Sequence, residues 1–166
     1  MSTKQALILL AVVCVLIVLY GPQKAKNASV VPSAKSSTHA INYRSLARQD
    51  AIEAGINPDL FERQIEDESG FNPSVVSPAG AVGIAQFMPS TAAGMGVNPN
   101  DPVDALKGAA RLMASYVHRF GSYEMALAAY NAGPGALQSA INRCGMSWLS
   151  CLPRETQSYV AYVVGG

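Results

Sequence analysis

Between Asn57 and Gly70 the residue types mark both ends of one helix. Asn57 can cap it, Pro58 suits its first position, and Asp59 brings negative charge to its first turn. Gly70 and Pro73 stop it. At roughly 100° per residue, Leu60, Phe61 and Ile65 form one apolar arc, and Glu68 falls near its centre. Glu62 and Glu66 point the opposite way, and Asp67 lies to one side. One acid is therefore aimed inward, in the last turn, beside whatever space the following loop encloses. Without an evident cationic partner it loses solvation, which favours the neutral form and raises its pKa. A carboxyl group that keeps its proton near neutral pH can donate it. The helix alone leaves a plainer alternative open: an acid merely capped by neighbouring polar groups.

The same punctuation divides the rest of the chain beyond residue 42. Asn42 is a cap for a helix over 43–54, with Leu46, Ala47 and Ile52 inward and Gly55 as its stop. Residues 72–89 are rich in Pro, Gly and Ser and read as loop with a small hairpin. Ser90 can cap a short helix ending at Gly94 or Gly96. Asp101-Pro102 opens a longer one to Phe120, with Asp104 three residues after the cap and Gly121 beyond the end. Ser122 caps the next, which carries Met125, Leu127, Ala128 and Tyr130. Residues 134–143 form another, and Pro153 starts the last, bearing Tyr159, Val160 and Val163. Short helices with little strand signal predict a mainly α fold.

Glu68-Ser69 is followed by Ser77 and by Gly83-Ile84-Ala85-Gln86-Phe87-Met88, then by Ala129-Tyr130-Asn131 and by Glu155-Thr156-x-x-Tyr159-Val160. In this order and spacing the set resembles the catalytic domain of lytic transglycosylases of the soluble-transglycosylase type, which share a lysozyme-like fold. The resemblance covers about residues 43 to 164. It implies a peptidoglycan-cleaving enzyme in which Glu68 is the catalytic acid. In that family the catalytic acid protonates the glycosidic oxygen between N-acetylmuramic acid and N-acetylglucosamine, then takes a proton from the muramoyl C6 hydroxyl to close a 1,6-anhydro ring, and the resemblance gives Glu68 that role. By the same resemblance Ser77 and Gln86 hydrogen-bond substrate near the acid, and Met88 is an apolar wall of the saccharide groove. Tyr130 brings its hydroxyl close to the carboxyl with Asn131 beside it, and Tyr159 is an aromatic at the rear of the site. Met88 and Tyr159 read equally well as core packing. The family often has Leu-Met where this chain has Ile84-Ala85, a departure expected to widen the groove locally while leaving Gln86 in place.

Two other functional readings stay open. A hydrolytic lysozyme on the same fold would need a second carboxylate, for which Asp101 and Asp104 are candidates. A non-catalytic wall-binding protein would keep the groove, but it has no need of an inward acid.

At the start of the chain, Ala6 to Tyr20 is an unbroken apolar run between Lys4 and Gly21-Pro22. As a helix it would rise roughly 24 Å, short of the ~30 Å hydrocarbon core. No small-x-small cleavage site follows it, so residues 1–22 read as a membrane anchor more than a cleaved signal. Cys14 lacks the small-residue context of a lipidation site, and lysines flank both ends of the run, leaving orientation open. Residues 23–42, made largely of Lys, Ser, Ala, Pro and Val, read as a tether, and 43–166 as the enzyme domain. The expectation is a single-pass membrane protein with its domain on the cell-wall side, in a bacterial envelope or in the virion membrane of a phage. Beyond residue 42 there remain eight basic groups against eleven acids. That balance does not suit a phosphate backbone, so nucleic acid is not an expected partner. His39 and His118 are far apart, no His/Cys/Asp cluster has metal-site spacing, and no glycine-rich phosphate loop is present, so no metal or cofactor is expected. Cys144 and Cys151 bracket a short segment around Trp148. Outside the cytoplasm they can close a small disulfide loop, and otherwise they are two thiols packed under Trp148.

Overall fold

The computed structural model describes residues 41–165. The anchor expected over 1–22, and the tether as far as residue 40, lie outside the described residues. Within them, side-chain caps set where helices start. Asn42 accepts from the Ser45 amide ahead of α1 (Tyr43–Ala54), and Asn57 accepts from the Asp59 and Leu60 amides ahead of α2 (Pro58–Ser69). Asp101 does the same for α4 (Pro102–Phe120) and Ser122 for α5 (Tyr123–Ala132). Each bond satisfies amides that the first turn leaves unpaired. Between α2 and α4 lies α3 (Pro89–Met95), and after α5 come α6 (Pro134–Cys144), a 3₁₀ segment (Gly145–Cys151) and α7 (Arg154–Gly165).

Three expectations from the sequence shift. Ser90 is not a cap: α3 begins at Pro89, directly after Met88, whose side chain makes no capping bond. Proline at the first position presets φ and carries no amide to satisfy, so this start does without a polar cap. Asp104 turns back to the Asn98 amide, 2.7 Å away, rather than to the start of its own helix. Ile52 is 66 % exposed, not inward, because the buried stripe of α1 runs through Ala47, Asp50 and Ala51. Ile52 lies about 140° around the helix from Ala47.

Helix α5 is the centre of the fold. It packs against α4, α6 and α7, while α1 packs against α2 and α4 and α2 against α7. Ala126, Leu127, Ala128 and Ala129 are all buried, and the three alanines let neighbouring helices come close. Phe61 and Ile65 of α2, Leu106 and Met113 of α4, Leu137 of α6 and Val163 of α7 complete one continuous core. Residues 75–87 form the expected small hairpin-like clasp, held by isolated antiparallel bridges Val76–Val82 and Val82–Phe87. No helix of the described residues is long and apolar enough to cross a membrane.

Candidate active site

Glu68 sits in the last turn of α2, which ends in the left-handed Gly70. Ser69 fastens that end: its hydroxyl donates to the Ile84 carbonyl at 2.6 Å, tying α2 to the turn of the clasp. The clasp is built tightly. Gly83 (φ +78°) presses against the Pro99 carbonyl so closely that a Cβ would lie 2.1 Å from the oxygen. Only glycine fits there. Gln86 holds the left-handed region as well, at φ +47°. Its amide nitrogen donates to the carbonyls of Gly83 (2.8 Å) and Val75 (3.2 Å). Both amide hydrogens are used, and the side-chain oxygen keeps its acceptor capacity.

From the far side α7 brings Tyr159, whose hydroxyl donates to Glu68 Oε1 at 2.7 Å. Burial pushes the Glu68 carboxyl up from 4.5 to about 7. The Tyr159 hydrogen bond works against that rise, since it favours the charged form, and the neighbouring Asp67 charge adds to it. Glu68 is the only glutamate of α2 without a cation: Arg44 and Arg48 pair with Glu62, and Arg44 also with Glu66. Burial, with the charge of Glu68 next to them, also raises Tyr159 and Tyr130 well above the ordinary tyrosine range. Both therefore stay protonated hydrogen-bond donors. Asp67 too is raised by burial.

The sequence placed the Tyr130 hydroxyl close to the carboxyl and Tyr159 at the rear of the site, and both tyrosines lie near enough to feel the Glu68 charge. The hydroxyl bonded to the carboxyl is that of Tyr159, which is buried, and Tyr159 is both packing and site. Tyr130 donates instead to the Ala85 carbonyl at 2.7 Å, with its ring tilted against Phe87. Tyr130 thus stiffens the clasp behind the carboxyl. Asn131 is fixed by Thr156, whose hydroxyl donates to Asn131 Oδ1 at 2.7 Å. Ser77 is occupied within its own turn, accepting from the Ala81 amide through Oγ at 3.0 Å. Met88 is exposed at the start of α3. Ile84 and Ala85 are both fully buried.

A cleft of about 320 Å³ opens beside this centre, lined by Asp67, Asn131, Glu155, Ser158, Tyr159 and Tyr162. It shares Tyr159 with the carboxyl, although Glu68 is not on its wall. Ser158 and Tyr162 were not singled out by the sequence, Asp67 appeared there only as an acid to one side of the helix, and Ser69 only as part of the Glu68-Ser69 motif without a role of its own. For Ser69 a signal existed, its place directly after the inward acid and before the stop glycine. Asp101 and Asp104 are spent on backbone amides around the start of α4, Asp101 accepting from Val103 at 3.0 Å. Cys144 and Cys151 are joined in a disulfide. Among the described residues no three His, Cys, Asp or Glu side chains gather as a metal site would.

Comparison with known proteins agrees with this geometry. Residues 45–147 match the family model of the transglycosylase SLT domain. The chain is 38 % identical over 79 residues to a transglycosylase of Enterobacteria phage PRD1, covering 47 % of this chain and 30 % of that one. It is 32 % identical over 105 residues to the peptidoglycan transglycosylase gp16 of Escherichia phage T7, covering 58 % of this chain and 8 % of that one. The 70 kDa soluble lytic transglycosylase SLT70 of Escherichia coli superposes with a TM-score of 0.66 at 26 % identity, over 74 % of this chain and 23 % of that one. The chain thus spans 8 to 30 % of the length of these relatives. With the family model matched over more than half of its length, and with a mainly helical fold shared with SLT70, the chain belongs to the transglycosylase SLT domain family.

Proposed function

We propose that this protein is a peptidoglycan lytic transglycosylase, cleaving the bond between N-acetylmuramic acid and N-acetylglucosamine and leaving 1,6-anhydromuramoyl ends. The observation that carries the reading is one buried carboxyl raised to about 7 with a tyrosine hydroxyl on one of its oxygens. Because Oε1 accepts from Tyr159, the acid proton belongs on Oε2, free to pass to the glycosidic oxygen. The carboxylate left behind then takes the proton of the muramoyl C6 hydroxyl as that oxygen attacks C1. The acid is regenerated, no water is consumed, and one group serves both steps. An acceptor already inside the substrate makes ring closure effectively unimolecular, with an advantage of up to several kcal/mol over capturing water. Gln86, through its side-chain oxygen, and Asn131 and Met88 at the surface are the groups assigned to substrate binding. The hydrolytic alternative finds its candidate second carboxylates, Asp101 and Asp104, already capping backbone amides.

The substrate partner is thus the glycan strand of peptidoglycan, handled by a domain over 43–166. Residues 6–20 are assigned as a single membrane anchor that keeps this domain on the wall side. Similarity to phage transglycosylases supports local wall opening during phage genome entry, and a bacterial envelope machine is the alternative setting. Mass spectrometry of digested peptidoglycan tests the chemistry. Products lighter by one water than those of a lysozyme are expected, and reducing-end muramic acid as the main product would overturn the reading.

A further inference from the structure

Asp50, on the inward stripe of α1, is a second buried acid that the chemistry above does not use. It is 6 % exposed, and no hydrogen bond reaches its Oδ2. A buried carboxyl oxygen without a donor is costly and uncommon. It borders a cavity of about 180 Å³ between α1 and α4, whose other walls are Glu53, Ala54, Lys107 and Arg111. Ala54 ends α1 only four residues before α2 begins, so the cavity lies toward the opposite end of α2 from Glu68. That is a separation of about 15 Å along the helix.

The charges around the cavity are arranged in two halves. Glu53 is held by Gln49, whose amide donates to it at 3.0 Å, which leaves Asp50 as the unpartnered anion. Lys107 and Arg111 stand one turn apart on α4. The ion pairs among the described residues are made by Arg44 and Arg48, and neither Lys107 nor Arg111 is within 4 Å of a carboxylate there. Burial and the Glu53 charge raise the Asp50 carboxyl, and Lys107 opposes them from across the cavity. A ligand that brings a cationic donor to Asp50 removes the cost of its bare oxygen. The same ligand, if it carries an anion beside that cation, meets the two side chains of α4.

We propose that this cavity binds an α-amino acid zwitterion, with its ammonium on Asp50 and its carboxylate on Lys107 and Arg111. The volume suits an amino acid, not a disaccharide. If the peptidoglycan reading holds, on which this assignment of source rests, the peptide stems of the wall present that group. A free amino acid offers the same chemistry.

Titration calorimetry on the full-length chain tests the site directly. The probes are meso-diaminopimelate and D-alanine, with methylamine and acetate as single-charge controls and a soluble stem-bearing muropeptide as a third arm. The zwitterions should bind and the controls should not, with affinity falling about tenfold or more in Asp50→Asn and in Arg111→Ala. Arg111 is exposed, so its variant remains informative if Asp50→Asn fails to fold. Absence of zwitterion binding, or binding unchanged in both variants, overturns the proposal. Binding of the muropeptide as well assigns the site to wall stems, and binding of amino acids alone assigns it to a free ligand. Cleavage of stem-free glycan is scored separately. Its failure would count against the transglycosylase reading and leave the binding result standing.

Discussion

Helix α2 carries glutamates on two faces, and the two faces treat the same side chain differently. On the outer face Glu62 and Glu66 meet Arg44 and Arg48 in solvent. On the inner face Glu68 pairs with no cation, accepts from the Tyr159 hydroxyl and is buried, and its carboxyl rises to about 7. Glu66 and Glu68 are two positions apart, so composition and local charge density are nearly the same for both. Helical phase and what packs over the end of the helix make the difference. Ser69 on the Ile84 carbonyl and Tyr159 on the carboxyl bring the clasp and α7 to that end, and the outer face has neither.

The sharpest test of the contrast is Glu68→Gln, which keeps the shape and removes the proton. Wall cleavage should fall at least about 10²–10⁴-fold, read as turbidity clearing of purified peptidoglycan. The same variant should be more stable than the parent above neutral pH. In the folded chain the carboxyl holds its proton to about 7, whereas its ordinary value is 4.5. Between those values the folded state binds the proton that the unfolded state has released, so this group's contribution to stability falls as pH rises. The penalty levels off above pH 7 at no more than about 3 kcal/mol, less what residual solvent contact removes. Thermal melts at about pH 8 should favour the variant, and the advantage should fade toward pH 4. A constant difference across that range would mean the carboxyl is not buried as described.

Tyr159→Phe comes next. The hydroxyl stabilises the carboxylate, so its loss should raise the Glu68 pKa further and move the alkaline limb of the pH–rate profile upward. Cleavage should drop about tenfold from the lost hydrogen bond and orientation. Tyr130→Phe is the control, because its hydroxyl serves the Ala85 carbonyl. It should cost about 1 kcal/mol of stability and leave the limb in place. If the limb moves for Tyr130→Phe and stays for Tyr159→Phe, the two tyrosines have been assigned the wrong way round.

How far these places could be read in the sequence depends on the range of the forces that set them. The capped starts at Asn42, Asn57, Asp101 and Ser122 need only residues within a turn, and the phase of Glu68 needs only its own helix. Ile52 was misread because an apolar residue near a helix end can face solvent once Ala47, Asp50 and Ala51 occupy the contact with α4. The division of labour between Tyr130 and Tyr159 was not legible either. It depends on α7 packing against α2, which joins residues 91 positions apart. Nor could the sequence foresee that Ser77 and Gln86 would hold the clasp together, since their partners are backbone groups of a loop without regular structure.

The inner face also depends on where α7 begins. The Cys144–Cys151 disulfide closes the 3₁₀ segment just before it. Gln157 then donates to the Leu152 carbonyl at 2.8 Å, and Arg143 to the Cys151 carbonyl at 3.0 Å. Replacing both cysteines by serine should cost about 2.5 kcal/mol, the chain-entropy value for a loop this short. A denaturant midpoint measured with and without a dithiol reductant reads it. Cleavage should become more temperature-sensitive in step, because Thr156 and Tyr159 lie on the helix that the loop delivers. Equal midpoints for both forms would show that α7 is held by its own packing alone.

The smallest effect is expected on the outer face. Glu62→Gln breaks contacts to Arg48 at 2.8 Å and to Arg44 at 3.4 Å, and Glu66→Gln breaks one to Arg44. These side chains keep between 25 and 49 % of their exposure, so water and salt already screen the pairs. Each substitution should change stability by less than about 1 kcal/mol, and by less still at high ionic strength. Neither should alter the rate of wall clearing or its pH profile, since neither carboxylate approaches Glu68 or its hydrogen-bond partner. Arg44 also lies over the Phe71 ring, 4.5 Å from its centroid, so it keeps a contact when its acid is neutralised. A loss of cleavage in Glu66→Gln comparable to that in Glu68→Gln would remove the distinction between the two faces. The acid would then have to be sought on the solvent side of α2.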